Sequence, residues 1–331
     1  MTVLIAGGGI GGLTLALSLH QIGVPAKVFE SVAELKPLGV GINVLPHAVR
    51  ELVELGLLRQ LDAAGVRTKE LAYFSKHGKP IWNGRILWRG ITASDAFLSG
   101  RTMIMAGHEI LKFVCYPISK QADARGKYQI NWVAERHMPP TYRWRREDYN
   151  RTAKLEEFLP WFTNWKFDWL DVPGLIRNCP HAYEYPLVDR DPIPQWTFGR
   201  VTLMGDAAHP MYPIGSNGAS QAILDARVLT REILAKGQTH AALTAYEAER
   251  RPATTDLVML NRRNGPEQVM QLVEERAPDG YDVVTDVLSL KELEDIAANY
   301  KRVAGFQVDG LNAKPPIVQI PAATSRASAG D

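Results

Sequence analysis

The N-terminal pattern of apolar positions predicts a strand, a helix and a second strand in succession. Residues 2–6 are an uninterrupted apolar run, which is typical of a short strand buried on both faces of a sheet. Glycines interrupt the run over 7–12, and apolar residues at helical spacing over 13–23 then predict a helix that ends at a glycine. A second apolar run over 26–30 ends in an acid. This order is that of a βαβ unit with parallel strands.

The middle of the chain has a different pattern. Short runs rich in β-branched and aromatic residues alternate with glycine-containing polar turns, which predicts an antiparallel sheet in a second domain. These runs cover 86–89, 102–106, 113–118 and 128–134. The aromatic stretch that follows, over 155–170, has a helix-like pattern.

The C-terminal half predicts one more strand and several helices. The apolar run 196–204 is a strand candidate, and Pro252 is expected to kink a helix or to start a new one. Together with an amphipathic segment of the N-terminal half, the predicted helices cover 47–61, 219–234, 241–264 and 290–303.

Composition narrows the class of protein. The hydrophobic content of 46%, charged content of 22% and net charge of +2 are those of an ordinary globular protein, and they give no support to a nucleic-acid partner. The two cysteines, Cys115 and Cys179, are too few for a disulfide framework or a cysteine-based metal cluster. No apolar run has the length of a membrane span. We therefore expect a cytoplasmic protein with no metal and no membrane partner.

The segment "GGGIGG" places a glycine fingerprint between the first strand and the first helix. Gly7 permits the tight turn, Gly9 lets a pyrophosphate approach the backbone, and Gly12 lets the helix pack closely on the strand. The free N–H groups of the helix N-terminus then favour phosphates. Glu30 ends the second strand 18 positions after Gly12, where a carboxylate can accept hydrogen bonds from a ribose. This register predicts dinucleotide binding, although a ligand-free turn and a nicotinamide dehydrogenase remain alternatives.

The segment "GDAAHPMYPIGSNGASQ", residues 205–221, contains a second candidate site. Asp206 follows the strand 196–204, at the strand end where ligands meet parallel sheets, and can bind a hydroxyl of a sugar-alcohol chain. The loop 213–218 offers backbone amides directly before a helix, which favours an electron-rich carbonyl or an anion. A flavin would use both features: its ribityl chain has hydroxyl groups for the aspartate, and its pyrimidine edge has carbonyl groups for the backbone amides. His209 is more simply a residue that fixes this loop by hydrogen bonds than a catalytic one.

These segments carry a resemblance to a known family. The stretches "GGGIGG…FES", "GVGINVLPHAVRELVELGL" and "YPLVDRDPIPQWTFGRVTLMGDAAHPMYPIGSNGASQAILDA" resemble the FAD-dependent aromatic hydroxylases, single-component flavoproteins similar to para-hydroxybenzoate hydroxylase. The middle-domain segments "WRGIT", "GRTMIMA" and "YPIS" are most similar to phenazine-modifying members. The resemblance covers most of the chain.

The resemblance implies an α/β fold: a Rossmann-like FAD-binding domain, a second domain built on a mostly antiparallel sheet, and C-terminal helices. The implied ranges are 1–83 with 198–264 for FAD, 84–197 for substrate, 265–318 for the C-terminal helices and 319–331 for a disordered tail. Asp206 should bind the ribityl chain, and Pro213 should lie near the reactive edge of the flavin as a catalytic residue. The implied cofactor-binding residues are Gly7, Gly9, Gly11, Gly12, Glu30, Ser31, Gly41, Ile42, Asp206, Pro213, Gly215, Asn217 and Gly218.

The resemblance also implies the reaction. NADH or NADPH would reduce FAD without a second nucleotide-binding fold, and a flavin C4a-hydroperoxide formed with O₂ would hydroxylate a small aromatic or N-heteroaromatic acid, phenazine-, salicylate- or pyridine-like. An arginine or backbone amides would recognise the carboxylate, and the sequence does not identify which. Candidates for the walls of the substrate slot, which as a set fit a plain core equally well, are Tyr116, Trp132, Tyr185, Met211 and Tyr212.

One departure from the family concerns the segment between Lys76 and Trp88. Roughly a hundred residues of the family are missing there, which is nearly the size of an ordinary domain. They include a second glycine-aspartate motif and an arginine-containing segment. We expect the natural protein to contain them, since a true deletion would expose sheet edges and apolar faces. If the deletion is real, a non-catalytic remnant is the alternative. A related flavin halogenase or epoxidase is another, although no WxWxIP-type halogenase motif occurs.

Overall fold

The computed structural model describes residues 1–34, 41–68, 70–74, 85–108, 110–139, 142, 151–187, 189–263, 267–281 and 283–320. The strands are β1 Val3–Ala6, β2 Ala26–Phe29, β3 Glu70–Phe74, β4 Arg85–Ser94, β5 Thr102–His108, β6 Leu111–Pro117, β7 Tyr128–His137, β8 Lys166–Phe167, β9 Leu170–Asp171, β10 Tyr183–Pro186, β11 Thr197–Phe198 and β12 Val201–Thr202. The helices are α1 Ile10–Gln21, α2 Pro46–Glu54, α3 Leu58–Ala64, α4 Leu155–Phe158, α5 Val172–Arg177, α6 Gly218–Lys236, α7 His240–Arg262, α8 Gln268–Arg276, α9 Leu290–Ala304 and α10 Val308–Asn312. The break predicted between Lys76 and Trp88 falls mostly on 75–84, and the predicted tail mostly on 321–331, both outside the described residues.

The N-terminal βαβ unit forms as the sequence predicts. Strands β1 and β2 pair in parallel, with Val3 opposite Ala26, and α1 connects them. The amide of Gly7 donates a hydrogen bond to the carbonyl of Phe29 at 2.7 Å, which ties the glycine turn to the end of β2. Helix α1 packs on α6, so two segments that are about two hundred residues apart in the sequence share one core.

The two strands of this unit are less buried than the apolar pattern predicts. Ile5 packs in a core cluster with Leu15 and Ala226, whereas Leu4 is 68% exposed and Phe29 57% exposed. The prediction of burial on both faces is therefore wrong for β1. The physical reason is that, within the described residues, these strands form a two-stranded sheet without further neighbours.

The predicted antiparallel sheet is present and larger than expected. Its strand order is β10-β4-β7-β6-β5-β3, and neighbours are antiparallel except for the parallel pair β3 and β5. Strand β3 comes from within the range 1–83 that the sequence analysis gives to the FAD-binding domain. One face of the sheet packs its side chains, among them Trp88, Phe113 and Trp132, against Phe158 and Phe162 in a continuous core. Alternation along the strands turns the intervening residues to the opposite face.

Three helix and strand boundaries differ from the predictions. The segment 47–61 divides into α2 and α3 because Gly56, with φ +78°, ends the first helix. Helix α7 continues through Pro252, so of the two effects expected of this proline, a kink or a new helix start, the new start is wrong. The run 196–204 forms only the short β11–β12 hairpin, since Gly199, with φ +61°, reverses the chain within it.

Within the described ranges, no helix is both long enough and apolar enough to cross a membrane. Both cysteines, Cys115 and Cys179, are free thiols. The same residues contain no group of three or more His, Cys, Asp or Glu side chains that could hold a metal ion.

Candidate active site

A cavity of about 660 Å³ lies between the second face of the large sheet, the glycine turn and the start of α6. This volume is within the range of small-molecule and cofactor sites. Its lining brings together both glycine-bearing segments of the sequence and the middle domain. Among the predicted site residues, those that line it are Gly7, Gly9, Gly11, Gly12, Gly41, Ile42, Tyr116, Asp206, Met211, Pro213 and Gly218.

The glycine turn leaves its backbone accessible from the cavity. Gly7 has φ +106°, a conformation that other residues rarely adopt. A Cβ atom added at Gly7 or Gly9 would meet no protein atom within 4 Å, so the space beside both residues is open. At Gly12 an added Cβ would lie 2.1 Å from the carbonyl oxygen of Gly7, which shows how closely α1 packs on the turn. The turn therefore fits a pyrophosphate on one side and the helix on the other.

Glu30 stands at the edge of this turn, outside the cavity lining. Its Oε2 accepts a hydrogen bond from the amide of Gly8 at 2.7 Å, and Oε1 accepts one from the amide of Ser31 at 2.6 Å. These hydrogen bonds, that of Gly8 foremost, lower the pKa of Glu30 to about 2. The ionised carboxylate keeps acceptor capacity on Oε2 for a hydroxyl group. Ser31 itself lies outside the lining and donates its hydroxyl to Glu30.

Asp206 is an exposed acid on a short 3₁₀ turn, Gly205–Ala207, at the opposite wall of the cavity. The turn is fixed from below by Asp225, whose Oδ2 accepts hydrogen bonds from the amide of Gly205 at 2.9 Å and from Nε2 of His209 at 2.6 Å. Arg250 donates to the other oxygen of Asp225 at 2.7 Å. His209 thus has the loop-fixing position that the sequence favours for it.

The electrostatics of this support keep Asp225 ionised. Complete burial raises the pKa of an isolated carboxyl group, but the electrostatic effects of His209 and Arg250 and the hydrogen bonds to Asp225 outweigh burial. The net result is a pKa of about 2 for Asp225. The position of Asp206 therefore depends on a charged network beneath it.

The loop before α6 is held by Tyr300 of α9. Gly215 has φ +64°, and a Cβ added there would lie 1.9 Å from the Tyr300 hydroxyl oxygen. Asn217 donates to the same hydroxyl oxygen at 2.7 Å and is fully buried. Gly215 and Asn217 therefore shape the loop without lining the cavity, whereas Pro213 and Gly218 face it. The free amides at the start of α6 point a partial positive charge at this wall.

Gly41 and Ile42 connect the cavity to the sheet. The amide of Gly41 donates to Oδ1 of Asn131 at 2.8 Å, and the hydroxyl of Tyr116 donates to the carbonyl of Gly41 at 2.9 Å. An added Cβ at Gly41 would approach the Tyr116 ring to 2.6 Å. The cofactor-side segment and the substrate-side sheet therefore meet in direct contact at Tyr116.

The structure brings only some of the predicted substrate residues to the cavity. Tyr116 and Met211 line it. Trp132 lies in the core on the other face of the sheet, because its position on β7 alternates with the cavity-facing Val133, and it donates to the Thr92 hydroxyl at 2.9 Å. The two remaining residues lie outside the lining, Tyr185 beside an arginine and Tyr212 in a cluster with Ile214 and Met270.

Four charged residues line the same cavity, and the sequence analysis does not single them out: Arg89, Lys112, Glu135 and Glu267. The ammonium group of Lys112 lies 3.0 Å from a carboxylate oxygen of Glu135 and 3.0 Å from one of Glu267, and all three side chains are buried. For Arg89, Lys112 and Glu135 the signal in the sequence is a charged side chain inside a strand, at a position that alternates with core residues. Glu267 stands directly before α8 and has no such signal.

The residues present fit an FAD molecule. Open space beside Gly7 and Gly9 suits the diphosphate, Glu30 suits a ribose, and Asp206 with the start of α6 suits a ribityl chain and a polar ring edge.

Comparisons with known proteins agree with this fit. A family model described as "FAD binding domain" matches residues 189–261. The phenazine 1,6-dicarboxylic acid hydroxylase of Lysobacter antibioticus is 35% identical over 361 residues, which cover 78% of this chain and 89% of that protein. The aurachin C monooxygenase/isomerase of Stigmatella aurantiaca is 26% identical, with 80% and 89% covered.

Solved structures share the fold. The 2,6-dihydroxypyridine-3-hydroxylase of Arthrobacter nicotinovorans has a TM-score of 0.65 at 16% identity, with 79% of this chain and 91% of that chain covered. A salicylate hydroxylase–substrate complex has a TM-score of 0.65 at 19% identity, with 92% and 98% covered. The predicted combination of an FAD-binding α/β domain with an antiparallel sheet is thereby confirmed.

The length of the Lysobacter alignment is itself informative. It spans 361 residues, more than the 331 of this chain, although only 78% of the chain takes part. The relative therefore has residues inside the aligned region, roughly a hundred and thus the size of a small domain, that this chain lacks. At 35% identity over nine-tenths of that relative, and with FAD as its cofactor, this chain belongs to the family of FAD-dependent aromatic hydroxylases.

Proposed function

We propose that this chain is an FAD-dependent monooxygenase that hydroxylates a small aromatic or N-heteroaromatic ring, with NADH or NADPH as reductant and O₂ as the oxygen source. The observation that carries the proposal is the shared cavity. Its lining includes the glycine turn at Gly9, the aspartate loop at Asp206 and the apolar sheet face at Met105. The relatives' names, a phenazine dicarboxylic acid hydroxylase and a salicylate hydroxylase, support a planar aromatic substrate.

When bound, FAD supplies the redox chemistry, taking a hydride from the nicotinamide and activating O₂. The chain's own part is to bind and orient. Gly7 and Gly9 receive the diphosphate at their open backbone, Glu30 accepts hydrogen bonds from the ribose, and Asp206 does so from the ribityl hydroxyls. The start of α6 stabilises negative charge at the ring edge. Pro213, which lines the cavity, is the residue that we assign to catalysis.

The sheet face supplies the substrate wall. Leu87, Met103, Met105, Val114 and Val133 give the cavity an apolar surface, to which thioethers adapt readily. A planar ring gains by area burial and stacking against such a surface, and the apolar lining keeps water from the reacting atoms. Tyr116 stands where this face meets Gly41, so it separates the ring-binding part from the cofactor part.

The domain organisation belongs to the same proposal. The FAD-binding unit consists of residues 1–83, except β3, together with 198–264. The substrate unit consists of 84–197 together with β3. Residues 265–318 add the C-terminal helices. The block that relatives contain and this chain lacks would cover β1 and β2, whose exposed Leu4 and Phe29 support this placement. The two free cysteines support a reducing, cytoplasmic location.

The test is reduction and turnover of the purified protein. Protein incubated with FAD and freed of excess should be yellow, should bleach with NADH or NADPH without O₂, and should oxidise the nicotinamide faster when phenazine-1-carboxylate is added, with a hydroxylated product by mass spectrometry. Asp206→Ala should lose FAD, while Asp256→Ala, an exposed acid on α7, should retain it. A protein that binds no FAD would support the non-catalytic remnant, and a colourless protein with nicotinamide-dependent activity would support a dehydrogenase.

A further inference from the structure

Arg89 presents an open charged donor to the cavity. It lies on β4 and lines the cavity, and its Nε is buried without a hydrogen-bond partner among the described residues. Leaving a buried donor of a charged group unpaired costs free energy, so such a group in a native structure calls for an explanation. A ligand that reaches Arg89 is the explanation that the cavity allows.

The neighbouring charges leave Arg89 as the available cation. Lys112 is already held between Glu135 and Glu267 at 3.0 Å each. Burial lowers the pKa of Arg89, an effect that the charge of Glu135 partly offsets, and no carboxylate of the described residues lies within ion-pair distance of the guanidinium. Of the two cations that the described part of the lining contains, Arg89 is therefore the one with a donor open to an anionic group.

We propose that Arg89 binds the carboxylate of the substrate and thereby makes the enzyme selective for aromatic carboxylic acids. The inference rests on the proposed function, since it takes this cavity as the substrate site. Planar guanidinium groups bind carboxylates through two parallel N–H···O bonds, which fixes orientation as well as affinity.

The surroundings of Arg89 suit this role. Its guanidinium carbon lies 5.8 Å from the ring centroid of Tyr185, which restrains the plane of the group. Within the sheet it stands opposite Val133 on β7, in a row that continues with the apolar Val114 and Met105 of the cavity lining. A charge pair in such a setting is stronger than one in water. The same contacts would place the ring of a bound acid against the apolar face.

The experiment compares two probes of nearly equal shape, phenazine-1-carboxylate and its neutral isostere phenazine-1-carboxamide. Their dissociation constants are measured by calorimetry on FAD-loaded protein and again on protein without FAD. Wild-type protein should bind the carboxylate at least tenfold more tightly, and Arg89→Gln should abolish the preference by weakening only the carboxylate. Arg89→Lys, which keeps the charge but lacks the planar group that donates two parallel hydrogen bonds, should give an intermediate preference.

Arg136→Gln is the matched control, because this arginine is on β7 but stacks on Trp161 at 3.7 Å outside the cavity lining. It should leave the preference unchanged. Equal weakening of both probes by Arg89→Gln, or no preference in the wild type, would overturn the inference. If circular dichroism shows that Arg89→Gln is unfolded, Arg89→Lys decides: a preference for the carboxylate equal to that of the wild type would overturn the inference.

The two proposals fail separately. An Arg89-dependent preference in protein that neither binds FAD nor turns over would sink the hydroxylase proposal alone. Hydroxylation without such a preference would sink the Arg89 inference alone.

Discussion

Nε2 of His209 lies 2.6 Å from Oδ2 of Asp225, and both side chains are buried beneath the turn that carries Asp206. The same carboxylate oxygen accepts the amide hydrogen of Gly205. The exposed acid that we assign to the ribityl chain is therefore positioned by a buried acid on α6, which binds the amide of the preceding residue, Gly205.

Asp225→Asn should destabilise the protein strongly while leaving its shape nearly unchanged. The amide cannot neutralise Arg250, and removing one partner of a buried charge pair costs about 3–5 kcal/mol. The free energy of unfolding in urea measures this loss. The exposed Asp256→Asn serves as control and should change it by less than about 0.5 kcal/mol. An Asp225→Asn loss as small as that of the control would refute a charged network.

His47 should make the protein less stable between pH 6.5 and pH 4. Burial, helped by the charge of Arg250, lowers the pKa of His47 from 6.5 to about 4. Over that interval the unfolded chain binds a proton that the folded chain does not, so stability falls as the pH falls, by about 3 kcal/mol in total. Asp225, with its pKa of about 2, contributes its own loss only at lower pH, below its ordinary value of 3.8.

His47→Gln removes the titrating ring and should flatten the unfolding free energy between pH 6.5 and pH 4. The exposed His20→Gln should keep the wild-type slope. Urea denaturation at several pH values provides the comparison. A His47→Gln protein with the wild-type slope would show that another group titrates there.

The strand β1 offers a direct test of the missing block. Leu4 is 68% exposed and Ile5 is 5% exposed, although both stand in one short apolar run. Leu4→Thr should therefore change the unfolding free energy by less than about 0.5 kcal/mol, whereas Ile5→Thr should cost about 2–4 kcal/mol through lost packing and a buried hydroxyl. Equal and large losses at both positions would mean that the Leu4 face is covered in solution.

Much of this molecule follows from local patterns. The βαβ unit, the strands of the antiparallel sheet and the helix after the second glycine loop are set by apolar periodicity and glycines, so they can be predicted from sequence. Periodicity does not reveal which neighbours a strand lacks, so the exposure of Leu4 on β1 could not be predicted from it. Periodicity also does not determine which face of the sheet a single aromatic residue is on until the strand register is known, as at Trp132.

The cofactor side of the site was easier to predict than the substrate side. Gly7, Gly9 and Asp206 belong to contiguous motifs whose chemistry is local, whereas Arg89 and Glu267 come together only through sheet register and the packing of the C-terminal region. The pairing of Lys112 with Glu267 joins residues 155 positions apart. No spacing rule encodes such a contact.

The glycine turn permits a prediction that separates cofactor binding from folding. Gly9 has φ −73° and ψ −179°, a backbone that alanine adopts freely, and an added Cβ there meets no protein atom. Gly9→Ala should therefore leave the free energy of unfolding of the FAD-free protein within about 0.5 kcal/mol of wild type. Its methyl group would occupy the space that we assign to the diphosphate, so the dissociation constant for FAD should rise at least tenfold.

Gly12→Ala is the matched contrast. Its methyl group would lie 2.1 Å from the carbonyl oxygen of Gly7, so α1 must move away from the turn, and this variant should lose about 1–3 kcal/mol of stability even without FAD. Urea denaturation of the FAD-free proteins and fluorescence titration with FAD give the two measurements. A Gly9→Ala protein that binds FAD as tightly as wild type would place the diphosphate elsewhere. Because its fold would be intact, the result would bear on the binding site alone.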